Sequence, residues 1–130
     1  MIKLPDTLHG IFFAFVWDKA KVWALPTPAE QVPLADLIWH LDLPVWSTRI
    51  GEPRFDLAPA AVLAHPDRHA EHWQRIQQAD LRYPLDLFRN GTRWVILNGY
   101  HRLAHCAMLQ LPQVWVRLHL DEYLAQIQIA

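Results

Sequence analysis

Residues 94–108 read Trp94-Val95-Ile96-Leu97-Asn98-Gly99-Tyr100-His101-Arg102-Leu103-Ala104-His105-Cys106-Ala107-Met108. The stretch changes character at its centre. Trp94 to Leu97 is a short apolar run, the signature of a buried strand. From His101 the apolar positions recur at helical spacing. Leu103, Ala104, Ala107, Met108 and Leu111 share one side, and Pro112 closes the helix. Gly99 lets the chain turn sharply between the two elements, because no Cβ stands in the way. A strand passing into a helix through one glycine predicts an α/β domain and sets a helix N-terminus at the mouth of the turn.

That mouth has a definite chemistry. The first N–H groups of a helix lack intrahelical partners, and its N-terminal end carries partial positive charge. Arg102 falls in the first turn and adds a planar guanidinium able to grip two oxygens. His101 adds a donor whose charge is expected to vary near neutral pH. Asn98, Gly99, Tyr100, His101 and Arg102 are therefore candidate ligands of a phosphate, sulfate or carboxylate. In the competing reading Gly99 only makes a turn and Arg102 only pairs inward with a carboxylate such as Asp80 or Asp86. Both readings stay open on the residues alone.

Working outward, Asn90-Gly91 is the strongest hairpin signal in the chain. It joins a strand over Tyr83 to Phe88, where Pro84 sits near the start, to the strand over Trp94 to Leu97. Val114 to Leu118 reads as another strand, and Asp121 starts a final helix running to Ile129. Further upstream, Pro59 suits the first turn of a short helix ending at Ala64. Pro66-Asp67 opens a longer helix to about Asp80, with Trp73 and Ile76 inward and Arg68, Glu71, Arg75 and Gln78 outward. Leu34, Leu37, Ile38 and Leu41 form a helical stripe after a strand end at Val32. Pro44 to Pro53 reads as a loop. Ile11 to Trp17 predicts a strand, Asp18 to Lys21 a turn, and Val22 to Leu25 the returning strand of a hairpin. The expected fold is a compact α+β domain with a small mixed or antiparallel-rich sheet and four to five helices.

Composition narrows the function. The 130 residues are 52% hydrophobic and 19% charged, which excludes a disordered chain. A net charge of -1 excludes a global basic field for gripping nucleic acid. A single cysteine, Cys106, forbids an intrachain disulfide and fits a reducing compartment. The opening residues 1–6 lack a signal-peptide layout, and the seven-residue apolar run 11–17 cannot span a bilayer, so a cytoplasmic location without membrane contact is expected. The seven tryptophans are scattered, which favours packing over a base-stacking surface. His65, His69 and His72 share helical spacing, but Pro66 interrupts it, and no metal site is assigned. Asp56, Asp80 and Asp86 are candidate catalytic acids, but the favoured reading of all three is a cap or a turn.

Three segments carry a family resemblance. They are Tyr83 to Gly91, Val95 to Ala104 with its Asn98-Gly99-Tyr100-His101-Arg102 core, and Gln113 to Val116. Together they resemble the ParB N-terminal and sulfiredoxin-like superfamily, whose pattern runs strand, glycine turn, strand ending in Asp-Gly-x-His-Arg or Gly-Glu-Arg-Arg, alanine-bearing helix and short strand. The match covers Tyr83 to Leu118, and Val32 to Leu37 resembles the family's opening segment. The resemblance implies a nucleotide-phosphate cradle at residues 98–102, with a nucleoside triphosphate and Mg as the ligand class. It extends to nucleotide hydrolysis or kinase activity. Sulfiredoxins place a cysteine, and ParB-type CTPases a glutamate, where this chain has Tyr100. Related serine kinases place an aspartate where it has Asn98, which offers no carboxylate base. Two functions follow as expectations. One is a nucleotide- or phosphate-binding domain. The other is an inactive interaction module docking a partner protein or DNA.

Overall fold

The computed structural model describes residues 6–13, 15–49, 51 and 54–129. The signal-peptide expectation therefore rests mostly on residues outside those described. In chain order the main elements are α1 (Lys19–Trp23), β1 (Glu30–Pro33), α2 (Pro59–Ala64), α3 (Ala70–Gln78), β2 (Leu85–Asn90), β3 (Arg93–Asn98), α4 (Tyr100–Met108), β4 (Gln113–Leu118) and α5 (Leu124–Ile127). One-turn 3-10 segments fill several connections, at Leu34–Asp36, Ile38–Asp42, Pro66–Arg68 and Asp121–Tyr123 among them. The expected mixed α+β architecture is what the chain adopts.

The strands form one four-stranded sheet in the order β1-β4-β2-β3. β1 runs antiparallel to β4, β4 parallel to β2, and β2 antiparallel to β3 across the Asn90-Gly91 turn. β2 is internal, and Leu85, Asp86, Leu87 and Phe88 are buried in succession. A continuous buried run of this kind needs cover on both sheet faces. Alternation divides it. Leu85 and Leu87 join Ile96, Val114 and Val116 in the larger core, which Val62, Ile76, Leu103 and Ala104 close from α2, α3 and α4. Phe88 faces the other way, into a smaller core with Val22 of α1 and Ile127 of α5. Asp86 falls on that second face, the one charged residue of the buried run.

The N-terminal third corrects the sequence reading. Among the described residues of 11–17 no strand forms: Ile11 lies in a turn, Phe12 and Phe15 are bends, and Trp17 makes a single bridge to Gln128. Ala14 lies outside the described residues. The expected return strand, Val22 to Leu25, is instead the end of α1 and the loop after it. Asp18 is not a turn residue but the N-cap of α1, accepting a 3.0 Å hydrogen bond from the Ala20 N–H. Lys19, Ala20 and Lys21 are good helix formers, so the cap and local propensity make this segment a helix in place of the expected turn and return strand. The aromatic run before it still packs inward, with Phe13, Phe15 and Trp17 against the smaller core.

Smaller shifts occur elsewhere. The stripe after Val32 is 3-10 rather than α-helical. Its inward side is therefore Leu37, His40 and Leu41, while Ile38 is exposed. The helix expected from Pro66 splits at His69 into a 3-10 turn and α3, and His72 joins Ile76 inside. Asp56 holds its loop by accepting from the Thr48 N–H and hydroxyl at 2.8 Å each, which lowers its carboxyl pKa. No helix among the described residues is long and apolar enough to cross a membrane.

Candidate anion-binding site

The turn between β3 and α4 is built as a close approach. Gly99 has φ +120° and ψ 20°, a conformation that side-chain-bearing residues rarely take. A Cβ there would lie 2.9 Å from Leu85 Cγ and 3.4 Å from Leu85 Cα. Glycine is thus required twice, by the dihedral and by the packing of the turn onto β2. Asn98, the last residue of β3, pairs with Asp86, and a bulge follows between Asp86 and Leu87. Bulges re-aim side chains, and this one falls where the two strands reach the turn.

A cavity of about 360 Å³ opens at the start of α4. Asn98, Gly99, Tyr100, His101 and Arg102 line it, with Arg75, Gln78, Ala79 and Asp80 from the end of α3 and the loop after it. All five residues singled out in the sequence therefore meet around one space. Three of them carry a buried polar atom without a hydrogen-bond partner: Asn98 Nδ2, the Tyr100 hydroxyl and His101 Nε2. Buried polar groups are nearly always satisfied, so each of these three calls for an explanation, a bound ligand or ion among them; a fourth, His72 Nδ1, does not line this cavity. Burial pushes the Tyr100 hydroxyl pKa up, so it remains a protonated donor.

His101 departs from the expectation that its charge varies near neutrality. Burial, then the neighbouring His72 and Arg75, lower its pKa to about 4, so the ring is neutral at pH 7. It stacks on Trp46 with ring centroids 4.3 Å apart, and His72 stacks on the same indole at 4.8 Å. The two imidazoles are 6.1 Å apart. Rings on opposite faces of an indole stand at least about 7 Å apart, so both histidines lie side by side on one face. His72 Nε2 donates to the Ser47 carbonyl oxygen at 2.8 Å, which fixes that ring.

Among the described residues, no carboxylate pairs with Arg102. Its Nη1 donates to the Pro84 carbonyl oxygen at 3.2 Å, and its guanidinium carbon sits 5.8 Å from the Tyr83 ring centroid. The expected inward partners are engaged elsewhere. Asp80 takes two hydrogen bonds from Arg82 Nε and one from Nη2, and these hold its carboxyl down to about 2. Asp86 is bound by Arg117 Nε at 2.9 Å and His119 Nε2 at 2.8 Å.

That last cluster was not visible in the sequence. Arg117 Nη1 and Nη2 also donate to the carbonyls of Leu25 and Val22, at 3.0 and 2.7 Å, fastening the end of α1 to the sheet. Thr27 Oγ1 lies 2.6 Å from His119 Nδ1. Asp86 is 2% exposed, so it is neither a cap nor a turn residue but the centre of a buried ionic network. Its partners, 31 and 33 residues later, carry no local spacing signal.

The remaining histidines do not converge. No group of three or more His, Cys, Asp or Glu side chains able to hold a metal occurs among the described residues. His105 Nδ1 is 3.0 Å from the Ala79 carbonyl oxygen, and Cys106 is buried. No family model matches the chain, and no curated protein or solved structure does so either.

Proposed function

We propose that the cavity at the start of α4 binds the phosphate of a nucleotide or a related small anion. The observation that carries this reading is one gathering of groups. Asn98, Tyr100 and His101, each with an unpartnered buried polar atom, surround a single space with Arg75, Arg102 and a helix N-terminus. An anion supplies acceptors, and each of these groups has a donor to offer: an amide, a hydroxyl, an imidazole in the tautomer that protonates Nε2, guanidinium and the first-turn backbone. Asp80 on the same wall is neutralised locally by Arg82. The ParB/sulfiredoxin-like resemblance of residues 83–118 supports the same assignment.

Binding is favoured over phosphoryl transfer. Asn98 and Tyr100 stand where a carboxylate or thiol would act. A carboxyl held at about 2, as in Asp80, is a weak proton acceptor. A divalent cation such as Mg would ride on the nucleotide's own phosphates, which is its usual mode of binding. The second reading, a module docking a protein or DNA, rests on Trp115, which is half exposed on β4.

Thermal-shift measurements against ATP, ADP, CTP, GTP, phosphate and sulfate, with and without Mg, test the proposal. A ligand at 100 times its Kd stabilises the fold by about 2.7 kcal/mol, which is readily detected. The absence of a shift with every nucleotide and both simple anions would overturn the proposal.

A further inference from the structure

A second cavity, of about 510 Å³, adjoins the first. Trp23, Tyr83, Pro84, Asp86, Arg102 and Arg117 line it, and Arg102 lines both. The volume falls within the usual range for small-molecule sites, about 300–1,000 Å³. Its two aromatic side chains are more than half exposed, Trp23 at 59% and Tyr83 at 56%. Neither ring stacks on another ring among the described residues. Each has one cation over it instead, Lys19 at 5.6 Å and Arg102 at 5.8 Å. At the base sits the Asp86 carboxylate. Both hydrogen bonds it receives from the described residues end on Oδ1, which leaves Oδ2 as its further acceptor.

Flat apolar faces and one buried acceptor suit a planar ring that carries N–H donors. A cationic guest would also suit aromatic walls and a carboxylate. The charge of the lining decides between them: Arg102 and Arg117 outnumber Asp86, which repels a cation and favours a neutral ring with an anionic tail. From these observations we infer that the cavity under Trp23 and Tyr83 takes an amino-bearing nucleobase. Its amine donates to Asp86 Oδ2, and its phosphates pass Arg102 into the space at residues 98–102. The phosphate half of this assignment rests on the function proposed above; the base half rests on the second cavity alone. Stacking on aromatic side chains tolerates any base, whereas Asp86 selects an amino edge over a carbonyl edge.

Isothermal titration of the full chain with pyrophosphate, with the diphosphates of guanosine, adenosine, cytidine and uridine, and with the phosphate-free nucleosides separates the two halves. At least one amino-bearing diphosphate is expected to bind tenfold or more tightly than both pyrophosphate and uridine diphosphate. Trp23→Ala, at an exposed position, should remove roughly tenfold of that gain and leave pyrophosphate affinity unchanged. Asp86→Asn should erase the preference for an amino edge; if that variant does not fold, cytidine against uridine diphosphate on the parent protein decides it, and equal affinity overturns the amino-edge assignment. No diphosphate exceeding pyrophosphate, or a gain that survives Trp23→Ala, overturns the base site while leaving the anion site standing. Nucleoside binding that depends on Trp23, with no binding of pyrophosphate, keeps the base site and removes the anion site.

Discussion

Gly99→Ala probes the turn on which the site depends. At φ +120° the backbone lies in a region that costs a residue with a Cβ about 1–3 kcal/mol. The added methyl also falls 2.9 Å from Leu85 Cγ, and Leu85 is buried against the core and cannot swing away. Overpacking of this kind costs about 1–3 kcal/mol more. The sum, about 2–6 kcal/mol, is a large share of the roughly 5–15 kcal/mol that holds a domain together. Urea denaturation followed by far-UV circular dichroism measures it directly. The steric part has its own check. Leu85→Ala alone should cost about 2–5 kcal/mol, and the double variant should fall short of additivity because the clash has been removed. A Gly99→Ala protein within about 0.5 kcal/mol of the parent, or strictly additive effects, would refute the reasoning.

Three further outcomes are expected. His40 is fully buried, with Nδ1 2.8 Å from the Leu37 carbonyl oxygen, and its Nε2 accepts the Ile96 N–H at 3.2 Å. Desolvation lowers its pKa from 6.5 to about 4. The unfolded chain then binds the extra proton first, so stability is complete above pH 6.5 and declines toward pH 4, by about 3 kcal/mol for this residue. Denaturation midpoints that stay flat over that window would contradict it. Asp86→Ala strands Arg117 and His119 inside the protein and should cost about 3–5 kcal/mol in chemical denaturation, whereas a loss under 1 kcal/mol would refute the buried network. Arg102→Ala should weaken phosphate binding by about 1.5–3 kcal/mol in calorimetry, the worth of a charged hydrogen bond; unchanged affinity would take Arg102 out of the site.

What the sequence revealed, and what it hid, follows from the range of the forces involved. The hairpin, the glycine turn and α4 were legible because each is fixed by neighbours within a few positions: Asn90-Gly91, Gly99, and the apolar spacing from Leu103 to Leu111. The convergence of residues 98–102 on one cavity followed from the same local logic. The segment from Ile11 to Leu25 misleads because its aromatic content suggests strand pairing. Its residues serve the smaller core as loop and helix, and the decisive signal was the Asp18 cap. The state of His101 was hidden because burial beside Trp46, His72 and Arg75 is set by segments 26 to 55 residues away in the chain. The sequence leaves Arg102 facing either an anion or a carboxylate; the Pro84 carbonyl is a backbone partner that no side-chain pattern announces.

Titration of the labelled protein with inorganic phosphate, followed by amide NMR, tests the anion site most directly. Saturable shifts are expected at the backbone amides of Tyr100, His101 and Arg102 and at the Asn98 side-chain amide, and they should be weakened in Arg102→Ala. Shifts that are absent there, or that appear equally at unrelated surface amides without saturating, would contradict the account.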